Sequence, residues 1–329
     1  MDYLCYAGAF AAALAVSALL LKVFIPVLRK AKLGQKILEI GPNWHKCKEG
    51  TPTMGGVFFI LGIIVAFLCF FFIGGGSFYG NGGRVMTVLL FAVANALIGF
   101  VDDYVKLFKK RNKGLSAPEK LILQLIVTAA FIGAMIYFGY IDTNMPIPFT
   151  HKSVDLGLFT YAMYLLIVVF YINGANFTDG IDGLAGSVNL VITVMFLLVS
   201  LAAGDRGEGV LTFAVCGALC GFLIFNFHPA KVFMGDTGSL FLGGLTAALA
   251  FAFNCQMLIF VFGFVHFFEA ISVVLQVVSY KLTGKRIFKM APIHHHFEKC
   301  GWTEVRIVAV FSFVTALLCG VSYWLIVTA

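Results

Sequence analysis

The stretch M-T-V-L-L-F-A-V-A-N-A-L-I-G-F-V-D-D-Y-V-K, from Met86 to Lys106, joins an apolar run directly to two adjacent aspartates. Its apolar part resembles a membrane helix, which needs about 20 apolar residues to cross a bilayer. Charged side chains are costly at membrane depth, so carboxylates at the end of such a helix indicate a functional site. The stretch therefore predicts a membrane helix with chemistry at one end.

The rest of the chain repeats this apolar character. Of its 329 residues, 60% are hydrophobic and only 12% are charged, whereas soluble domains average about 25% charged residues. Ten candidate spans follow from the apolar runs: residues 3–28, 53–73, 84–101, 119–140, 158–173, 184–203, 209–226, 239–254, 257–281 and 305–327. We predict an all-α polytopic membrane protein, with residues 1–329 forming a single integral membrane domain.

The number of spans depends on the long run between residues 239 and 281, which is twice the length of one crossing. Asn254, Cys255 and Gln256 offer a polar break in its middle. With ten spans, lysines and arginines concentrate in the odd-numbered loops, which the positive-inside rule places in the cytoplasm. Both termini then lie outside. The net charge of +7 is attributed to this topology and to anionic lipids rather than to nucleic-acid binding.

The longest outer loop covers residues 141–157 and contains Pro146 and Pro148 beside hydrophobic residues. Prolines next to short apolar stretches are typical of turns and edge strands. We therefore expect a short hairpin or turn on the outer surface.

Three short acidic motifs are placed at the same depth by the ten-span topology. They are D-D-Y-V-K (Asp102–Lys106), N-F-T-D-G-I-D-G-L (Asn176–Leu184) and F-M-G-D-T-G-S (Phe233–Ser239). Each aspartate could cap a helix. Adjacent carboxylates repel one another unless a cation lies between them, so capping alone explains the set poorly. Oxygen ligands without thiolates favour Mg²⁺, which usually completes its shell with water and phosphates.

Basic and imidazole side chains complete this predicted phosphate site. Lys48, Lys106, Lys113 and Lys120 could neutralise a diphosphate. The motif A-P-I-H-H-H-F-E carries His294, His295 and His296, which we expect in an extended loop where neighbours point in alternate directions. Zinc ligands are normally spaced along the chain, so these histidines are interpreted as phosphate-binding or orienting groups.

The ninth span places polar residues at intervals of three or four, which puts them on one helix face. These residues are Gly263, His266, Glu269, Ser272 and Gln276. Internal hydrogen bonding along this face is the favoured interpretation, and a proton path is the alternative. Gln276, nearest the cytoplasmic end, could reach a substrate.

Together the motifs resemble the phospho-N-acetylmuramoyl-pentapeptide transferases of the polyprenyl-phosphate N-acetylhexosamine-1-phosphate transferase superfamily. The three acidic motifs mark the superfamily. The segment G-T-P-T-M-G-G (Gly50–Gly56) and the triple histidine select the muramoyl branch. The resemblance implies transfer of phospho-N-acetylmuramoyl-pentapeptide from its UDP carrier to undecaprenyl phosphate, giving lipid I and UMP with magnesium as cofactor. It also implies a bacterial inner-membrane protein with periplasmic termini and a cytoplasmic active site, and it leaves room for a homodimer.

The resemblance assigns roles by motif position. Asp236 is the expected magnesium ligand, and Asp103, with Asp102 beside it, is the expected base or nucleophile. The residues expected to handle phosphates or sugar are Lys106, Lys120, His294, His295 and His296. The residues expected to line the substrate pocket are Lys48, Thr53, Asn176, Asp179, Asp182, Phe233 and Gln276, with Phe233 stacking on uracil.

Two other functions compete with this assignment. A sister transferase using UDP-N-acetylglucosamine would share the acidic motifs, although not the triple histidine. A secondary transporter would suit ten helices and the pair His266 and Glu269. Transporters of that kind bind their ions near the bilayer midplane, whereas the aspartates here are predicted at one face.

Overall fold

The structure is a computed structural model that describes residues 2–30, 48, 50–76, 81–108, 114–150 and 152–328. The basic residues predicted for the first and third loops fall largely in 31–47 and 109–113. Both segments lie outside the described residues, and the second includes Lys113. The predicted orientation of the chain across the membrane therefore remains a prediction.

The described residues form a helical bundle with one small hairpin. The helices are α1 (Asp2–Lys30), α2 (Gly55–Ile73), α3 (Asn81–Phe108), α4 (Ala117–Tyr137), α5 (Phe159–Thr178), α6 (Leu184–Ala202), α7 (Arg206–Asn226), α8 (Gly235–Ala252), α9 (Ile259–Phe262), α10 (Phe264–Thr283), α11 (Ile293–Glu298) and α12 (Glu304–Thr328). The strands are β1 (Asn144–Pro146) and β2 (Ser153–Asp155).

Long helices occupy all ten predicted spans. In the part of the chain that the structure describes, nine of them are long and apolar enough to cross a membrane. The exception is α8, whose first turn, Gly235–Ser239, is polar. From Thr237 to Ala252 every residue of α8 is buried, because the helix packs against α2, α3, α5 and α6. Its surroundings are protein rather than lipid.

The predicted break near residue 254 and the predicted hairpin are both confirmed, and the hairpin's place on the outer surface remains a prediction. Helix α8 ends at Ala252, Asn254 adopts a left-handed φ of 48°, and a short 3-10 turn at Gln256–Leu258 leads into α9. The hairpin pairs β1 with β2 antiparallel, with Met145 opposite Val154. A cleft of about 390 Å³ separates its tip from the end of α12.

The prediction that Asp102 and Asp103 end the third helix is wrong. Helix α3 continues to Phe108, so both aspartates lie inside its last two turns. Lys106, one turn after Asp102, forms an ion pair with it at 2.5 Å. The apolar pattern stops at Val101, whereas this local pairing of opposite charges carries the helix further.

The end of the bundle opposite the aspartates holds a separate buried ion network. Arg84, near the start of α3, donates through Nε to Glu208 at 2.7 Å and is also bonded to Asp205. Glu208 is fully buried. Arg206 pairs with Asp2 at 3.0 Å, which ties the start of α1 to the same end. The network joins the starts of α1, α3 and α7 at this end of the bundle.

Glycines let α3 and α8 cross closely beside the aspartates. A β-carbon on Gly99 would lie 2.2 Å from the carbonyl oxygen of Asp236. One on Gly133, in the interior of α4, would meet nothing within 4 Å. The contact at Gly99 is with backbone, which cannot move aside as a side chain could.

Gly99→Ala should therefore lower the midpoint of thermal unfolding in detergent. Overpacking of this kind typically costs about 1–3 kcal/mol, which exceeds the roughly 1 kcal/mol that alanine gains over glycine in a helix. Gly133→Ala, the matched control, should be neutral or slightly stabilising. Equal midpoints for the two variants would contradict the close crossing.

Candidate active site

The start of α8 is held by the segment that precedes α2. Phe233 donates its backbone N–H to the Pro52 carbonyl at 2.9 Å, and Gly55 donates to the Phe233 carbonyl at 2.8 Å. A β-carbon on Gly235 would lie 2.9 Å from the hydroxyl oxygen of Thr53. The predicted substrate residues Thr53 and Phe233 are thus neighbours, with Thr53 buried and the Phe233 ring half-exposed.

The carboxylate of Asp103 caps the N-terminus of α8. Its Oδ1 accepts the backbone N–H of Asp236 at 3.2 Å, and its Oδ2 accepts the Thr237 N–H at 3.0 Å and hydroxyl at 2.7 Å. Free N–H groups at a helix start favour a nearby anion. The capping that was weighed for the aspartates is therefore present, but between two helices rather than within one.

Asp236 lies at the centre of a network of opposite charges. Its Oδ2 contacts Lys106 Nζ at 2.9 Å and Lys120 Nζ at 3.0 Å. Its Oδ1 accepts from the Asn176 amide at 2.9 Å. Lys120 also donates to Asn176 Oδ1 at 3.0 Å. Residues from α3, α4, α5 and α8 therefore meet at one carboxylate.

Asp102, Asp103 and Asp236 could together hold a metal ion. One oxygen from each lies within 4.8 Å of the others. Lys106 Nζ reaches both Asp102 and Asp236, so an ammonium group already occupies a cation's place between two of these carboxylates. Oxygen donors of this kind suit a hard divalent cation. We call these three residues the metal cluster.

A second cluster forms around Asp182, in the turn between α5 and α6. Its Oδ1 accepts from Lys48 Nζ at 2.7 Å, and its Oδ2 accepts from the Ala230 N–H and contacts His228 Nδ1, both at 3.0 Å. Glu304 Oε2 accepts from Lys48 at 2.7 Å and from the Asp182 N–H at 3.0 Å. We call this the Lys48 cluster.

Asp179 lies between the two clusters. It follows the last residue of α5, and its carboxylate forms no hydrogen bond among the described residues. Burial raises the pKa of Asp179 well above its ordinary value, and repulsion by Asp236, Asp103 and Asp182 raises it further. Asn176, three residues before it, donates to Asp236, and Asp182, three residues after it, contacts Lys48, so Asp179 lies where the chain joins the two clusters.

The three histidines lie on the short helix α11, so the predicted extended loop is wrong. His294 is buried and its Nδ1 lies 3.0 Å from Glu269 Oε2 on α10. His295 Nδ1 lies 2.6 Å from Glu298 Oε2, one helical turn away. This i,i+3 pair within α11 is the kind of local contact that supports a helix. His294 and His295 remain adjacent, with ring centroids 4.1 Å apart.

His296 and Gln276 hold the loop between α10 and α11. His296 Nδ1 accepts the Lys289 N–H at 3.1 Å. The Gln276 amide donates to the Phe288 carbonyl at 2.9 Å and accepts the Phe288 N–H at 2.9 Å. Neither side chain is brought to the metal cluster by these contacts. The favoured interpretation of the α10 polar face as internal hydrogen bonding agrees with this arrangement.

Sequence reasoning missed three residues of the site. Glu304 is a single acid before an apolar run, and such an acid ordinarily marks the first turn of a helix. His228 stands alone before a proline. Thr237 lies inside a motif, but nothing in the motif shows that its hydroxyl would bond to Asp103. Only the packing of distant helices joins them to the predicted residues.

Comparison of the sequence with known proteins identifies the family. A glycosyl transferase family 4 model matches residues 85–254. A phospho-N-acetylmuramoyl-pentapeptide-transferase signature matches residues 48–60, which include Lys48 and Thr53. The chain belongs to the phospho-N-acetylmuramoyl-pentapeptide transferase family.

Relatives carrying that family's name cover nearly the whole chain. The protein from Clostridium botulinum (strain Alaska E43 / Type E3) is 45% identical over 314 residues, which is 94% of this chain and 93% of the relative. Those from Bacillus cytotoxicus and Staphylococcus carnosus are 43% and 40% identical, over 92% and 94% of this chain and 92% and 96% of their own lengths.

Asp179 leads to a prediction about pH. Its pKa is raised in the folded protein, so below the ordinary value near 3.8 the carboxyl is protonated in both states. As pH rises above that value, the unfolded chain ionises first and the folded state loses relative stability. Asp179→Asn should therefore increase the thermal midpoint, measured with a chelator present, more at pH 8 than at pH 5.

The matched control is Asp142→Asn, which removes a carboxylate from the exposed hairpin loop. Its effect should not grow with pH in the same way. A gain for Asp179→Asn that is independent of pH would contradict the raised pKa.

Proposed function

We propose that this chain transfers phospho-N-acetylmuramoyl-pentapeptide from its UDP carrier to undecaprenyl phosphate, giving lipid I and UMP. The observation that carries this proposal is the meeting of Asp102, Asp103 and Asp236 with Lys106 and Lys120. Two anionic substrates must approach each other, so a site that combines cations with metal-binding oxygens suits the reaction. A transporter gains nothing from such a cluster at one end of its bundle.

Asp102, Asp103 and Asp236 would hold Mg²⁺, and their three closely spaced carboxylates fit it. When bound, the ion supplies charge neutralisation at the diphosphate. Lys106 and Lys120 would turn from Asp236 toward phosphate oxygens. Positioning and charge stabilisation supply most of the acceleration in phosphoryl transfer. His294 and His295 would bind phosphate or sugar oxygens near the same place.

Direct attack is the favoured mechanism. An oxygen of the lipid phosphate forms a bond to the β-phosphorus, the bond from that phosphorus to the bridging oxygen breaks, and UMP departs with that oxygen. A phosphate monoester has its second pKa near about 6, so its oxygen is already ionised at neutral pH. Asp103 then assists by holding the start of α8. Trapping a phosphorylated Asp103 during turnover would overturn this mechanism.

The Lys48 cluster would bind the nucleoside. Uracil presents both hydrogen-bond acceptors and a donor at its edge, and the ammonium of Lys48 beside the Asp182 carboxylate offers the matching groups at 2.7 Å from each other. Phe233 would stack on the base, with Thr53 beside it. Asn176 and Asp179 would lie between this pocket and the metal cluster. Gln276 would act indirectly, through the loop it holds.

We further propose that both clusters face the cytoplasm of a bacterial inner membrane. Lys281 lies in the last turn of α10, and Lys285, Arg286 and Lys289 follow that helix at the cluster end of the bundle, as the positive-inside rule requires. A water-soluble nucleotide and a lipid phosphate can meet at that interface. A homodimer is compatible with this placement.

Magnesium-dependent release of UMP from UDP-N-acetylmuramoyl-pentapeptide tests the proposed function. Purified protein in detergent, supplied with undecaprenyl phosphate, should release UMP with Mg²⁺ and not with a chelator. Asp236→Ala should lower the rate at least about 100-fold, because loss of metal positioning removes electrostatic stabilisation of the transition state. Asp142→Ala, in the exposed hairpin loop, should leave the rate unchanged.

The same assay separates the alternatives. UDP-N-acetylglucosamine should give no comparable release, and a preference for it would assign the sister activity instead. Detergent solution has no gradient, so substrate-dependent turnover there also rules out a transporter. Absence of UMP release with every nucleotide would reject the transferase proposal.

Phe233→Ala should weaken nucleotide binding more than binding of the lipid substrate. Base–aromatic stacking is worth about 1–3 kcal/mol, so the KM for the nucleotide should rise roughly 5- to 100-fold. Phe313→Ala, an exposed phenylalanine on α12, is the matched control and should change neither KM. Equal losses for both substrates in Phe233→Ala would contradict the stacking role.

A further inference from the structure

A buried carboxylate on α10 contacts the first histidine of α11. Glu269 and His294 are both fully buried. Glu269 Oε2 lies 3.0 Å from His294 Nδ1, and the His294 backbone N–H points to the same oxygen at 3.5 Å. An unpaired carboxylate is costly in such surroundings, so its placement against an imidazole is a specific arrangement. None of the roles assigned by motif involves Glu269.

The contact leaves one nitrogen of His294 without a partner. An ionised carboxylate accepts but does not donate, so the Nδ1 atom that faces it carries a proton. The other ring nitrogen, Nε2, is buried and has no hydrogen-bond partner among the described residues. Buried polar atoms are nearly always bonded, so this nitrogen is free to bond to a group that a substrate brings.

Gly180 allows this nitrogen to reach the site. A β-carbon on Gly180 would lie 2.2 Å from His294 Nε2. Gly180 lies between Asn176, which donates to Asp236, and Asp182, which contacts Lys48. The ring therefore lies under the bend of chain that joins the metal cluster to the Lys48 cluster. In the proposed binding mode the nucleoside lies at the Lys48 cluster and the metal ion at the metal cluster. The diphosphate, which joins them, would then lie along this bend.

A second polar contact holds α10 against the end of α5. His266, one turn before Glu269 on α10, bonds through Nδ1 to the Thr178 hydroxyl at 2.8 Å. Thr178 is the last residue of α5 and immediately precedes Asp179. A β-carbon on Gly174 would lie 2.3 Å from the His266 carbonyl oxygen, so the two helices are also in close backbone contact. Helix α10 is thus held against the end of α5 at the level of Glu269.

We propose that Glu269 is a positioning residue for His294: it accepts the Nδ1–H and holds the ring so that Nε2, protonated when the anionic diphosphate binds, donates to a diphosphate oxygen of the nucleotide substrate. Carboxylates that bond the far nitrogen of a functional histidine fix both its tautomer and its ring orientation. Glu269 itself touches no substrate. This inference rests on the proposed transferase function, and it adds the residue that orients His294 toward the diphosphate.

The test compares Glu269→Gln in two backgrounds, the wild-type chain and His294→Ala. In the wild-type background the isosteric change should lower kcat for UMP release roughly 10- to 100-fold, the usual effect of losing such a partner. The glutamine amide can donate as well as accept, so it no longer selects the tautomer. The KM for the nucleotide should change little, because the Lys48 cluster is untouched. In the His294→Ala background the second change should have no further effect on kcat.

The combination distinguishes positioning from a structural role. Residues that act through one another give non-additive losses. A Glu269→Gln loss of equal size in both backgrounds would overturn the proposal, and so would full activity in the wild-type background. If Glu269→Gln does not fold, Glu269→Asp, which shortens the carboxylate by one carbon, is tested in the same two backgrounds with the same expectations.

Glu208→Gln is the matched control. Glu208 is also a fully buried, ion-paired carboxylate, but it lies at the opposite end of the bundle with Arg84. It should lower the thermal midpoint without changing kcat per folded molecule. Wild-type protein that releases no UMP would reject the transferase function itself. Active wild type with an unaffected Glu269→Gln would reject only the positioning role.

Discussion

The bond between Asp103 on α3 and the first turn of α8 is the interaction on which the site depends. It satisfies backbone N–H groups that would otherwise be unpaired at a buried helix start, and it places Asp236 within reach of Asp102. Gly99 permits the crossing by leaving out a side chain. One carboxylate therefore serves both the packing of two membrane helices and the geometry of the metal cluster.

Charge balance explains why the remaining residues lie where they do. Lys106 and Lys120 neutralise Asp236, Lys48 neutralises Asp182 and Glu304, and His294 lies against Glu269. Asp179 is the exception, since it has no such partner among the described residues. In the proposed reaction, Lys106 and Lys120 would move from Asp236 to an incoming phosphate, and Lys48 would bind the base. Without substrate, the carboxylates thus occupy the lysines that the substrate phosphates and base would otherwise contact.

Short-range sequence patterns predicted some features of the fold and the site and missed others. Among the described residues, the ten long helices, the break at Asn254 and the hairpin follow from runs of apolar residues and turn-forming residues, which are short-range patterns. The end of α3 and the helical state of His294 to His296 were missed, because nearby ion pairs extend helices past the apolar pattern. Gln276 and His296 were assigned to substrate, yet their contacts are to loop backbone.

By itself, the sequence determined that this is a polytopic membrane protein and that aspartates, lysines and histidines accompany one another at one end of its helices. Composition and motif order carry that information because hydrophobicity and charge act residue by residue. Only the tertiary structure decided which carboxylate caps α8, that Glu304 shares Lys48 with Asp182, and that Glu269 lies behind His294. These contacts join residues that are far apart in the chain, and their distances arise only when the helices pack.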